Sequence, residues 1–181
     1  LLLSPDTGAV LASASMTTDP RLAEKRAIHA RVCANLRADL ETLQRSHADA
    51  LQGITHEDAR QEGDKDMRST EASYVARGQA RRVTELQDEL AALTALELRL
   101  FGPGAPVALG ALVTVELESG EASYFVAPAG AGIELAEGAR RIRVVTPRSP
   151  LGRALLGRSV ADDVSWSTPQ GEIEGKITAV H

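Results

Sequence analysis

The stretch Gly102-Pro103-Gly104-Ala105-Pro106 divides the chain into halves of different periodicity. Proline has no amide hydrogen to donate and clashes with a preceding helical turn, while glycine loses much backbone entropy in a regular element, so no helix continues through this run. Upstream of it, apolar residues recur at steps of three and four. Downstream they alternate. A helical region followed by a sheet region is therefore the first expectation.

From Pro20 to about Leu51 the apolar positions Ile28, Val32, Leu36, Leu40, Leu43 and Ala50 form one narrow seam between charged residues, with Asp19 as N-cap and Pro20 at the first helical position. A second helix, expected to end near Phe101, carries Ala72, Ala76, Gln79, Val83, Leu86, Leu90, Leu93 and Leu100, and Val83-Leu86-Leu90-Leu93 is an a/d heptad pattern. Either helix alone would expose its stripe; paired as an antiparallel hairpin they cover each other. Arms of about 30 residues would reach roughly 45 Å. Between them the turn Thr55–Arg68 holds Glu57, Asp58, Glu62, Asp64 and Asp66, with Gly63 suited to a tight reversal. Hydrophobic residues make up 43% of the chain but aromatics only 3%, so the hairpin is held by Leu, Val and Ala seams.

Downstream, 107–117 reads as a strand, Ser119-Gly120 as a turn and 122–127 as the returning strand. Residues 128–138, rich in Gly and Ala, read as a loop, and 141–145 as a third strand. Ser149 caps a short helix with Pro150 at its first position, closing near Gly157. Segments 164–168 and 172–180 form a last hairpin around Pro169-Gln170-Gly171. The expected fold class is α+β: an N-terminal antiparallel helical hairpin (coiled coil) over 20–100 with its tip at about 52–68, a linker at 101–106, and a β-sheet domain with one short helix over 107–181. Residues 1–19, with Leu1-Leu2-Leu3 interrupted by Asp6, are expected to be a disordered leader or a remnant foreign to the fold.

The formal charge of −5 argues against independent binding to DNA, which needs a basic face. A single cysteine, Cys33, excludes an internal disulfide and suits a reducing, cytoplasmic setting; its place among apolar helix positions points to packing. His29 and His47 fall in the first helix and are read as surface or seam packing and not as zinc ligands, and His56 is expected to be a solvated turn residue beside the acidic cluster. No apolar run approaches the roughly 20 residues of a membrane span.

The run Ser149-Pro150-Leu151-Gly152-Arg153-Ala154-Leu155-Leu156-Gly157, then Asp162-Asp163-Val164, Thr168-Pro169 and Gly171-Glu172, resembles the C-terminal domain of bacterial Gre transcription elongation factors (GreA/GreB). The family pattern SPxxRxLxGxxxxDxV followed by TPxGE marks the helix and final hairpin of an FKBP-like domain. Upstream, Ala59-Arg60-Gln61-Glu62-Gly63-Asp64 is similar to the family's approach to the hairpin tip, and Arg82-Val83-Thr84-Glu85-Leu86 to its outgoing helix.

The resemblance implies a factor and not an enzyme in its own right. It would be a monomer that docks on RNA polymerase at the secondary channel and touches nascent RNA only indirectly. Its tip would reach the polymerase active site and help hold a shared Mg2+, with no cofactor of its own, so that backtracked RNA is cut. Asp64 matches the family's aspartate. The cleavage-competent pattern continues Leu-Ser-Glu-Asn, whereas this chain has Lys65-Asp66-Met67-Arg68, with Met67 where the Glu would fall. Asp66, and next Glu62, are substitutes chosen on charge and proximity. Ser149, Pro150, Arg153 and Tyr74 are the expected partner contacts. Two alternatives stand beside this reading. One is a non-cleaving regulator or inhibitor occupying the same channel; the other, a prolyl isomerase, is disfavoured because few aromatics, chiefly Tyr124, Phe125 and Trp166, could line a proline pocket.

Overall fold

The computed structural model describes residues 19–58 and 65–181, with 50–58 and 65–77 described as backbone alone. Two long helices, α1 (Pro20–Asp58) and α2 (Lys65–Thr94), precede the strands β1 (Leu112–Leu117), β2 (Gly120–Val126), β3 (Glu134–Glu137) and β4 (Arg140–Val145). The short helix α3 (Pro150–Leu155) and the strands β5 (Asp163–Thr168) and β6 (Gly171–Val180) complete the chain. With 39 and 30 residues, the helices span about 58 and 45 Å. They run antiparallel: the His29 ring donates to the Leu93 carbonyl at 2.7 Å, and further out His47 Nδ1 donates to Gln79 Oε1 at 3.1 Å.

The sheet order is β3-β4-β2-β1-β6-β5, with β2 and β4 parallel and the other neighbours antiparallel. Period-two alternation sorts β2 onto two cores, one on each face. Tyr124 and Val126 join Val113, Val115, Leu151, Leu155, Trp166 and Ile177 under α3. Phe125 and Ala127 join Leu112, Ile142 and Val144 under Ile28, Val32, Leu36 and Leu93 of the hairpin. The sheet is thus the middle layer, and the base of the helical arm is one of its two covers.

Several boundaries differ from the sequence reading. α2 ends at Thr94 and not near Phe101. Leu96 and Leu98 leave the helix to pack on the second core, so burial overrides the helix propensity of 95–100, and Leu100 is 44% exposed instead of continuing the seam. The strand expected from 107 begins only at Leu112, because Gly110 turns the chain at φ 82°. Val107 instead exchanges backbone hydrogen bonds with the segment after α3, donating to Arg158 at 2.7 Å and accepting from Gly157 at 2.9 Å. The loop expected at 128–138 contains β3, paired antiparallel with β4. Both helices reach into the stretch read as a turn, since Thr55–Asp58 and Lys65–Arg68 are helical. Phe101, placed in a linker, is buried at 8% exposure.

Candidate functional site

Two places on the molecule carry the expected functional residues. The first is the outer end of the arm, where α1 continues about 22 Å beyond Leu43 to Asp58. Glu62 and Asp64 lie outside the described residues. Asp66 falls in the first turn of α2 and Tyr74 further along it, both described as backbone only. The arm is aimed by its base. There Glu24 pairs with Arg140 at 2.8 Å, and Arg140 Nε donates to Ser123 Oγ at 2.7 Å. Further along α1, Arg31 pairs with Glu137 and donates to the Ala136 carbonyl at 3.1 Å.

The second place is α3 with its flanks. Ser149 adopts extended geometry (φ −73°, ψ 151°), accepts from the Gly152 amide at 3.0 Å and donates to the Thr146 carbonyl at 2.8 Å. This is an N-cap: the hydroxyl expected to contact a partner also satisfies the helix start. Gly152 is required by close approach, because a Cβ there would stand 1.9 Å from the Thr146 oxygen. Leu151 and Leu155 are buried, while Pro150 and Arg153 face solvent. Arg153 Nη1 donates to the Arg148 carbonyl at 2.9 Å. Asp162 closes the next turn by accepting from the Ser159 amide at 2.8 Å. Of the expected contacts, Ser149, Pro150 and Arg153 are neighbours on the sheet domain, and Tyr74 belongs to the arm.

Tyr124, Phe125 and Trp166 line no open proline pocket. Tyr124, Phe125 and Trp166 are all buried, with Tyr124 and Trp166 edge-to-face at 6.4 Å in one core and Phe125 in the other. An open groove of about 570 Å³ on the sheet is lined by Glu116, Glu118, Asp163 and Glu174 with Lys176, and so is acidic instead of apolar. Among the described residues, no group of His, Cys, Asp and Glu is arranged to hold a metal, and no helix is long and apolar enough to cross a membrane. Cys33 is buried against the second core, and burial pushes its thiol above the ordinary range, as packing and not reactivity requires. Sequence reasoning missed Lys25, which is fully buried. The signal was available: it stands three residues before Ile28 on the apolar stripe of α1.

Residues 103–181 match the family model described as "Transcription elongation factor, GreA/GreB, C-term". A transcription elongation factor GreA of Nitratidesulfovibrio vulgaris is 27% identical over 151 residues, covering 80% of this chain and 86% of that protein. The transcription inhibitor protein Gfh1 of Thermus thermophilus is 34% identical over 103 residues, covering 55% of this chain and 61% of that one. The crystal structure of Gfh1 from Thermus thermophilus aligns over 82% of this chain and 94% of that one, at 25% identity and a TM-score of 0.35. The family model falls on the sheet domain with its capped helix and closing hairpin, and the GreA match extends across the arm. The sheet domain is therefore similar to the C-terminal domain of the GreA/GreB transcription elongation factors, and the arm before it aligns with GreA at lower identity.

Proposed function

We propose that this protein binds bacterial RNA polymerase, docking its sheet domain at the rim of the secondary channel and sending the helical arm inward so that the acidic tip stimulates cleavage of backtracked RNA. The observation that carries the reading is the long hairpin mounted by its base on a sheet whose sequence is that of a GreA/GreB C-terminal domain. Asp64 and Asp66, with Glu62 beside them, are the residues that would hold a magnesium ion shared with the polymerase. Carboxylate oxygens are the donors this hard cation prefers. When bound, the ion would activate water and stabilise the leaving oxygen at the polymerase's own centre. The protein's part is to place charge and not to turn over substrate. Pro150 and Arg153 are the docking contacts, held in place by the Ser149 cap, and Tyr74 is a contact of the arm.

A second reading has its own support. Met67 stands where the cleavage-competent pattern has Glu, and the Thermus relative at 34% identity is named a transcription inhibitor. In this reading the protein fills the channel and slows the polymerase. Both readings require binding to core polymerase, and that is the first test. The wild-type chain is expected to bind, and Pro150→Asp with Arg153→Glu, two exposed changes that leave the fold intact, are expected to weaken binding at least tenfold. A chain that does not bind core polymerase at all would remove both readings.

A further inference from the structure

Three segments remote in sequence meet at one buried amine. Lys25 has no exposed surface, although it lies in a helix whose outward positions are free for charge. Its Nζ donates to the Arg99 carbonyl, in the connector that returns from α2, and to the His181 carbonyl at 3.0 Å, just beyond β6. His181 is in turn fixed to the sheet, accepting from the Leu112 amide at 3.0 Å and donating to the Leu112 carbonyl at 2.9 Å. The ammonium also lies 4.5 Å from the centroid of the Phe101 ring, whose face attracts a cation.

Burying an amine is costly, and a methionine would fill much the same volume. What methionine could not do is donate to two carbonyls at once. Those hydrogen bonds join α1, the connector after α2 and the sheet at a single point, and that point lies where the arm leaves the sheet.

We propose that Lys25 is a pin that fixes the direction of the helical arm relative to the sheet. Ile28, Val32 and Leu93 supply adhesion, but an apolar contact is non-directional and permits rocking, while the Glu24–Arg140 and Arg31–Glu137 pairs are part-exposed and compete with water. Hydrogen bonds from one amine to two separate segments are directional and do not. The lever is long: from Lys25 to Asp58 α1 rises about 50 Å, so a tilt of about 10° at the base would carry the outer end about 9 Å. A group that must meet a reacting centre has to be held within about 0.5 Å. The pin therefore matters to the proposed function, but it can be tested without polymerase.

The test is a pair of spin labels on the full chain, at Arg45→Cys on the arm and Ser167→Cys on the sheet, with Cys33→Ala in the background. The parent is expected to give one narrow distance distribution. Lys25→Met is expected to at least double its width while helix content and Trp166 fluorescence are retained. Phe101→Leu keeps the amine and removes the ring beneath it, and is expected to give an intermediate width; should Lys25→Met fail to fold, this milder variant decides. A width equal to the parent's in every folded variant would overturn the proposal, whatever the outcome with polymerase.

Discussion

At the base of the arm, Ile28, Val32, Cys33 and Leu36 are buried between α2 and the sheet, while a turn or two further out on α1 Leu40 and Leu43 are only half-buried. The two stretches read alike as sequence, with one aliphatic residue every three or four positions. The difference is a second cover. At the base the seam meets Leu112, Phe125, Ile142 and Val144 of the sheet as well as Leu93 of α2, whereas Leu40 and Leu43 lie outside this core. Helical periodicity thus identifies the face that is buried, and the tertiary partner determines how deeply. The base anchors the arm; the outer seam only has to keep two helices together.

The largest effect expected from this contrast is at the anchor. Phe125→Ala should cost about 3–5 kcal/mol, from lost burial and the cavity left behind, whereas Leu43→Ala should cost no more than about 1 kcal/mol. Urea unfolding of the two variants measures both, and equal losses would erase the distinction. Next comes the pH dependence of the pin. Burial, followed by the charge of Arg99, lowers the Lys25 pKa from 10.5 to about 8. Below pH 8 folded and unfolded chains both hold the proton, and there is no slope. Between about 8 and 10.5 only the unfolded chain holds it, so stability rises with pH, by up to about 3 kcal/mol. Lys25→Met should remove that rise, as comparison of the two chains at pH 7.5 and 10.5 would reveal.

Smaller effects sharpen the same contrast. Ser149→Ala should cost about 1 kcal/mol through the lost N-cap and weaken docking only by loosening α3; calorimetry checks the first and polymerase titration the second. Arg31→Ala removes a half-exposed pair with Glu137 and should cost about 0–1 kcal/mol, a difference that added salt diminishes. A loss well above about 1 kcal/mol that added salt abolishes would mean that the ion pairs, and not the apolar base and Lys25, anchor the arm.

Much of the fold was legible because the period changes at Gly102–Pro106. Alternation in Val113 and Val115 and in Val164 and Trp166 marked strands that face one core. β3 was hidden because Glu134-Leu135-Ala136-Glu137 is an edge strand with a single buried side chain, Leu135, and so carries almost no alternation. The connector after Thr94 was hidden because its leucines suit a helix equally well and only the sheet beside them decides. At the α3 site the cap was readable from Ser149-Pro150, and the Ser149 hydroxyl is engaged by it, leaving Pro150 and Arg153 as the outward surface. Lys25 was overlooked because a lysine on a helix is normally solvated; its place on the apolar stripe marked it as buried, and only the fold supplies its partners, the Arg99 and His181 carbonyls. The acidic tip was legible as charge, but which carboxylates act together is not written in their spacing.

The measurement that bears most directly on the function is transcript cleavage in a backtracked elongation complex with magnesium, comparing the wild-type chain with Asp64→Ala plus Asp66→Ala. Faster cleavage with the wild type, lost in a double variant that still binds, is the predicted result. Binding by both proteins with cleavage unchanged or slowed would contradict it and make the arm a plug in the channel.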